Sequence, residues 1–168
     1  MLKTMKAKRQ NFPHQYIDAT FEKYDYEITT GKIAPQELYL KCIEEYKLDI
    51  DKGYDFISAW TKDYETITPT YKLLNELKEH YEVGFLSNIY KGLVSEMINN
   101  KIIPDVKKEY RFLSCDLGMQ KPEKRLYEYV TKELNLNKGE ILFIDDKSEN
   151  LPPAQDMGWE TIKFSRHN

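Results

Sequence analysis

The stretch Glu140-Ile141-Leu142-Phe143-Ile144-Asp145-Asp146 constrains this chain more than any other, because an unbroken apolar run ends in two adjacent carboxylates. Branched and aromatic residues without polar interruption read as a parallel strand buried on both faces. Open α/β sheets place their ligands beyond the carboxyl ends of such strands. Two acids there suit a divalent cation, since hard Mg²⁺ takes carboxylate oxygen and completes its shell with water and phosphate. A plainer reading gives one Asp to the cap of the next helix and the other to solvent.

The remaining strand ends extend the pattern. Apolar runs over Glu82 to Asn88, Tyr110 to Asp116, Glu140 to Asp146 and Glu160 to Phe164 alternate with amphipathic segments. The helices expected between them cover Pro69 to His80, Lys91 to Asn99, Pro122 to Leu134 and Lys147 to Met157. Such alternation implies an α/β fold with a parallel sheet and helices on both faces. The first run closes on Ser87-Asn88, a hydroxyl and an amide able to hold a phosphate oxygen, unless Ser87 simply caps a helix. The second is followed by Gly118-Met119-Gln120-Lys121-Pro122, which sets a cation before a proline-opened helix. Beside an anion site Lys121 can neutralise phosphoryl charge; otherwise it is only an exposed lysine.

Upstream, from Tyr16 to about Tyr64, the spacing is helical. Ile17, Phe21 and Tyr24, then Leu38, Leu40, Ile43 and Tyr46, then Phe56, Ile57 and Trp60 mark a bundle of three helices. Thr30-Gly31-Lys32 breaks the first pair, and Pro35 suits the opening turn of the second helix. The expected division is therefore a flexible segment over 1–15, a helical unit over 16–66 and an α/β unit over 67–168. A balance of 25 basic against 28 acidic residues offers no general nucleic-acid or membrane surface. The 13 tyrosines lie on amphipathic helices beside no basic cluster, so they read as packing residues and not as a base-stacking platform. Cys42 and Cys115 lack a CxxC spacing and are expected to be reduced, buried thiols. With no apolar stretch of membrane-spanning length and no signal-like start, a cytoplasmic location is expected.

Taken in order, Ser87-Asn88, Lys121-Pro122 and Phe143-Ile144-Asp145-Asp146 with Asn150, Ala154 and Gly158 resemble the second, third and fourth motifs of the haloacid dehalogenase (HAD) superfamily. Thr30-Gly31-Lys32-Ile33 within a helical unit is similar to the small cap of the branch that holds 2-haloacid dehalogenase-like and epoxide-hydrolase-associated phosphatase domains. The resemblance implies a Rossmann-like HAD core under a helical cap, and Mg²⁺-dependent phosphatase chemistry on a small phosphorylated molecule. It makes Ser87 a phosphoryl-oxygen donor and Lys121 the cation that orients the nucleophile and screens the phosphoryl group. Asp145 becomes the magnesium ligand, Asp146 a second ligand or outer partner, and Asn88 and Asn150 supports.

The family's first motif is an apolar strand ending in Asp-x-Asp, lying mid-sheet between the strands that end here at Asn88 and Asp146. Met1 to Arg9 cannot stand in for it, because Lys3, Lys6, Lys8 and Arg9 would be buried in a central strand and no acid follows them. The isolated chain is accordingly expected to be inactive. The empty strand position is expected to close directly, to be filled by another chain such as a dimer partner, or to belong to a segment encoded upstream. A second expectation is a non-catalytic descendant that binds a phosphate compound or a protein. A receiver domain also sets paired acids and a Lys around Mg²⁺, but its acids follow its first strand, whereas Asp145 and Asp146 stand near the other end of this sequence.

Overall fold

Residues 14–62 and 64–165 are described by the computed structural model. Their first elements are helices: α1 (His14–Lys23), α2 (Asp25–Thr29), α3 (Pro35–Tyr46) and α4 (Phe56–Thr61). Where the apolar spacing predicts three helices there are four, because Tyr24 leaves helical dihedrals (φ −113°, ψ 24°) and the chain restarts as the short α2. Pro35 opens α3 as expected. The Asp55 side chain caps α4 by accepting from the Ser58 N–H at 3.0 Å. The apolar faces of these helices close on one another through aromatic rings. Phe21 meets Phe56 at 5.2 Å and Trp60 edge-on at 5.4 Å, and Tyr39 stacks on Phe56 at 5.6 Å. Each such pair adds about 0.5–1.5 kcal/mol beyond the area it buries. Leu38, Tyr39 and Cys42 at the centre are fully buried. The basic segment Met1 to Gln10 lies outside the described residues.

The second half alternates as expected: α5 (Thr68–Leu77), β1 (Phe85–Ser87), α6 (Leu93–Asn99), β2 (Arg111–Leu113), α7 (Ser114–Leu117), α8 (Lys124–Leu134), β3 (Leu142–Asp145), α9 (Leu151–Asp156) and β4 (Glu160–Lys163). Pro122 falls ahead of α8, which begins two residues later at Lys124, so the turn around Lys121 is not the helix's first turn. All strand pairing is parallel, with Leu86 beside Phe112 and Ile144 beside Ile162. The sheet, however, is divided: β1 pairs with β2 and β3 with β4, and among the described residues no hydrogen-bonded ladder joins the two halves. Among the described residues each strand thus has a single neighbour, and β2 stops at Leu113 because Ser114–Leu117 turns into α7, where the apolar run predicts strand as far as Asp116.

A second core forms on one side of β3, where Phe143 meets Tyr127 at 6.0 Å and Trp159 at 6.1 Å, with Leu126, Val130 and Ala154 packed around them. On the other side of the same strand Leu142 and Ile144 stay 55% and 50% exposed. Period-two alternation therefore separates a packed face from an open one.

The helical and α/β parts meet at the end of β2. Ser114 Oγ donates to the Thr29 carbonyl at 2.7 Å and accepts from the Ile89 N–H at 2.9 Å. Gly31 sits there with φ +74°, and a Cβ on it would lie 2.0 Å from the Cys115 carbonyl oxygen. Only glycine serves both that backbone angle and that approach. Cys42 is buried as expected, whereas Cys115 is only partly so; both thiols are free. Among the described residues no helix is long and apolar enough to cross a membrane.

Candidate active site

The ends of β1 and β3 and the loop of Lys121 converge beyond the strands. β1 ends at Ser87, and Asn88 follows it. The Asn88 amide grips the main chain of Lys121 from both directions, its Nδ2 donating to the Lys121 carbonyl at 2.8 Å and its Oδ1 accepting from the Lys121 N–H at 2.7 Å. An amide imitates a backbone pairing in this way and fixes the lysine's loop to the end of β1. The Asn88 amide thus positions the Lys121 main chain. Ser87 is half-buried and does not cap a helix, since α6 starts at Leu93 after Gly92.

Lys121 reaches across to the end of β3, where its Nζ meets Asp145 Oδ2 at 2.6 Å. Their side chains are only 10% and 5% exposed. An ion pair so buried survives only if the other lone pairs are satisfied. They are: Asp145 Oδ1 accepts from the Lys147 N–H at 2.7 Å and from Asn150 Nδ2 at 3.0 Å. Burial alone would raise the Asp145 carboxyl, but the Lys121 ammonium, the Lys147 N–H and the Asn150 amide outweigh it and hold the group below the ordinary carboxylate value. Asp145 is thus neither a solvated acid nor a plain helix cap. Asp146 is exposed, and its carbonyl accepts from the Lys163 ammonium.

Asn150 is itself anchored from below, its carbonyl accepting from the Tyr127 hydroxyl at 2.8 Å in a buried setting. The sequence reading missed Tyr127. Its signal was available, a tyrosine on the buried stripe of α8 between Leu126 and Val130, whose hydroxyl must find a partner when the ring is buried. Ser114 was also missed, being read only as part of an apolar run.

Two hard carboxylates, Asp145 and Asp146, fit the chemistry of Mg²⁺, which is commonly held by one or two acids with water and phosphate oxygens. Among the described residues no group of three His, Cys, Asp or Glu could hold a metal by itself. Cys115, near the same edge, is no alternative nucleophile: burial and the neighbouring Asp116 push its thiol up to about 11, so it carries little thiolate.

Comparison with known proteins decides the family. Residues 15–164 match the model of the haloacid dehalogenase-like hydrolases. The chain belongs to that family. It is 43% identical over 150 residues to the sesquiterpene phosphatase of Aspergillus oryzae, covering 83% of this chain and 69% of that protein. It is 31% identical over 145 residues to bifunctional epoxide hydrolase 2 of Sus scrofa, covering 81% of this chain but 26% of that protein. A shorter match to the Rattus norvegicus epoxide hydrolase, 42% identical over 60 residues, covers 34% of this chain and 11% of that protein. These matches agree with the epoxide-hydrolase-associated branch suggested by Thr30-Gly31-Lys32-Ile33. Among solved structures, a HAD family enzyme of Bacteroides thetaiotaomicron superposes with TM-score 0.72 at 24% identity, covering 92% of this chain and 78% of that one. The same enzyme complexed with magnesium and inorganic phosphate superposes with TM-score 0.69, covering 90% and 86%. The HAD-like core expected from the motifs is therefore the observed fold.

Proposed function

We propose that this chain is the scaffold of a Mg²⁺-dependent phosphatase acting on a small phosphorylated metabolite, and that it turns nothing over until a nucleophilic carboxylate is brought to Lys121 from outside residues 14–165. The observation that carries this reading is the braced line Asn88–Lys121–Asp145–Asn150, which holds one ammonium beside one ionised carboxylate at the mouth of the crevice. Lys121 would screen negative charge on the transferred phosphoryl group, and Ser87 would donate to one of its oxygens. Asp145 and Asp146 would hold Mg²⁺, which when bound neutralises phosphoryl charge. Asn88, Asn150 and Tyr127 position these groups and need not touch substrate. In the same reading the helices of residues 16–66 cap the crevice of the core at 67–168, and the Ser114–Thr29 bond ties the two. The relatives support phosphatase chemistry: besides the sesquiterpene phosphatase they include a D-ribitol-5-phosphate phosphatase of Bacteroides thetaiotaomicron.

Assay of the chain on a panel of small phosphate esters with Mg²⁺ tests the proposal. The chain alone is expected to be inactive; turnover by it, abolished by Asp145→Asn, would show that the nucleophile is already present. A second reading, a non-catalytic phosphate binder, is favoured by the full engagement of the Asp145 carboxylate with Lys121, the Lys147 N–H and Asn150, which leaves it no part as a nucleophile. Under it, calorimetric titration would detect Mg²⁺-dependent phosphate binding, while no added carboxylate segment would produce turnover.

A further inference from the structure

The turn that carries Lys121 is held from two sides. On one side the Asn88 amide clasps the Lys121 main chain. On the other, Glu123 Oε1 accepts from the Gln120 N–H at 3.2 Å, and Glu123 Oε2 accepts from Arg125 Nε at 2.5 Å. The Arg125 guanidinium reaches further: its Nη2 donates to the Gly118 carbonyl and to the Tyr26 hydroxyl, each at 3.2 Å. Gly118 and Glu123 bracket the turn, so one side chain grips both of its ends. Tyr26 belongs to α2, 99 positions away, and its ring is covered by Lys32 Nζ at 4.9 Å. The same helix is seated on the core by the Ser114–Thr29 bond.

A plain surface role does not account for Arg125. Its side chain is 53% exposed, so the pair with Glu123 contributes little as an ion pair. A cation in the first turn of α8 also works against the helix dipole. What the planar guanidinium adds is direction: N–H groups in a fixed relation join the start of the turn, its end and the helical unit. We infer that Arg125 is a positioning residue that ties Tyr26 to the turn of Lys121, so that the seating of α2 sets where the Lys121 ammonium stands. Clasped by Asn88 alone, the turn would have one anchor and could pivot about it; with Arg125 it has two. By linkage, phosphate held at Lys121 favours the seated α2 by the same factor as the seated α2 favours phosphate. That consequence deepens the phosphatase reading and rests on it; the tie between Tyr26 and Lys121 does not.

The test uses the full chain with isotope-labelled lysine and follows, by NMR, hydrogen exchange at the Gln120 and Lys121 amides and at the Lys121 ammonium. Arg125→Gln is expected to speed exchange at these groups about three- to tenfold, with α3 unchanged. Tyr26→Phe, which keeps the ring and removes only the hydroxyl, is expected to speed it about two- to threefold and to add nothing once Arg125→Gln is present. Arg125→Lys, which keeps the charge and loses the fork, is expected to exchange as fast as Arg125→Gln. Parent-like exchange at Lys121 in Tyr26→Phe would overturn the inference, since Arg125 would then hold only its own turn. So would an undiminished effect of Tyr26→Phe in the Arg125→Gln background, or parent-like exchange in Arg125→Lys. Calorimetry with inorganic phosphate and Mg²⁺ reads the consequence for the site: Arg125→Gln is expected to weaken binding about three- to tenfold. Phosphate that fails to bind the parent chain would sink the phosphatase reading, while exchange at Lys121 would still decide the tie.

Discussion

The helical and α/β parts of this molecule use similar apolar residues to different ends. In α1–α4 the rings of Phe21, Tyr39, Phe56 and Trp60 meet each other and close most of the apolar surface of these helices into one cluster. In the α/β part, Phe143, Tyr127 and Trp159 pack equally well on one side of β3, while Leu142, Ile144, Ile162 and Phe164 remain open on its strands and on the residue after β4. A helix satisfies its own backbone and needs only side-chain cover, whereas a strand needs partners at both edges. The contrast teaches that a set of helices can be complete where a set of strands is not, even in one chain with one composition.

The comparison can be broken or sharpened by mutation. The largest effect is expected from Asp145→Ala, which strands the Lys121 ammonium in a buried site and should cost the α/β part about 3–5 kcal/mol. Urea unfolding followed by amide exchange should show α8 and β3 failing well before α3. Acid offers a reversible version of the same loss. Because the folded Asp145 carboxyl lies below its ordinary value, the unfolded chain takes up this proton first as pH falls. Its stabilisation is thus complete above about pH 4 and lost as pH drops through the folded value. Exchange at β3 should rise there in the parent chain and show a smaller pH response in Asp145→Asn.

Next in size is Leu38→Ala in the closed helical core, expected to cost about 2–5 kcal/mol by circular-dichroism denaturation. Gly31→Ala and Ser114→Ala strike the junction between the two parts. Each should cost about 1–3 kcal/mol, with exchange rising first at Thr29, Ile89 and Cys115. The smallest effect belongs to Leu142→Ala, expected to stay within about 0.5 kcal/mol in the chain alone because its side chain is already wet. A cost for Leu142→Ala matching that of Leu38→Ala would mean that the open face of β3 is covered in solution, and the contrast between the two parts would fail.

The residues of the candidate site were picked out by local pattern. Ser87, Lys121, Asp145 and Asp146 each follow an apolar run, and strand ends in an α/β fold collect at one edge. Asn88 was legible as a residue, but its clasp on the Lys121 main chain was not, since no spacing rule foretells that an amide will pair with a main chain 33 positions away. Tyr127 and Ser114 went unseen for the same reason: their partners, Asn150 and Thr29, lie 23 and 85 positions distant.

The sequence by itself determined the order of helices and strands, the family and the kinds of group at the crevice, because periodicity and strand-end residues are properties of short stretches. Tertiary structure alone decided that Lys121 and Asp145 form a buried pair with the second carboxylate oxygen held by Lys147 N–H and Asn150, and that the sheet of the described residues stands in two halves. Those outcomes depend on which backbone edges find partners, and pairing of edges is a long-range choice that no window of sequence contains.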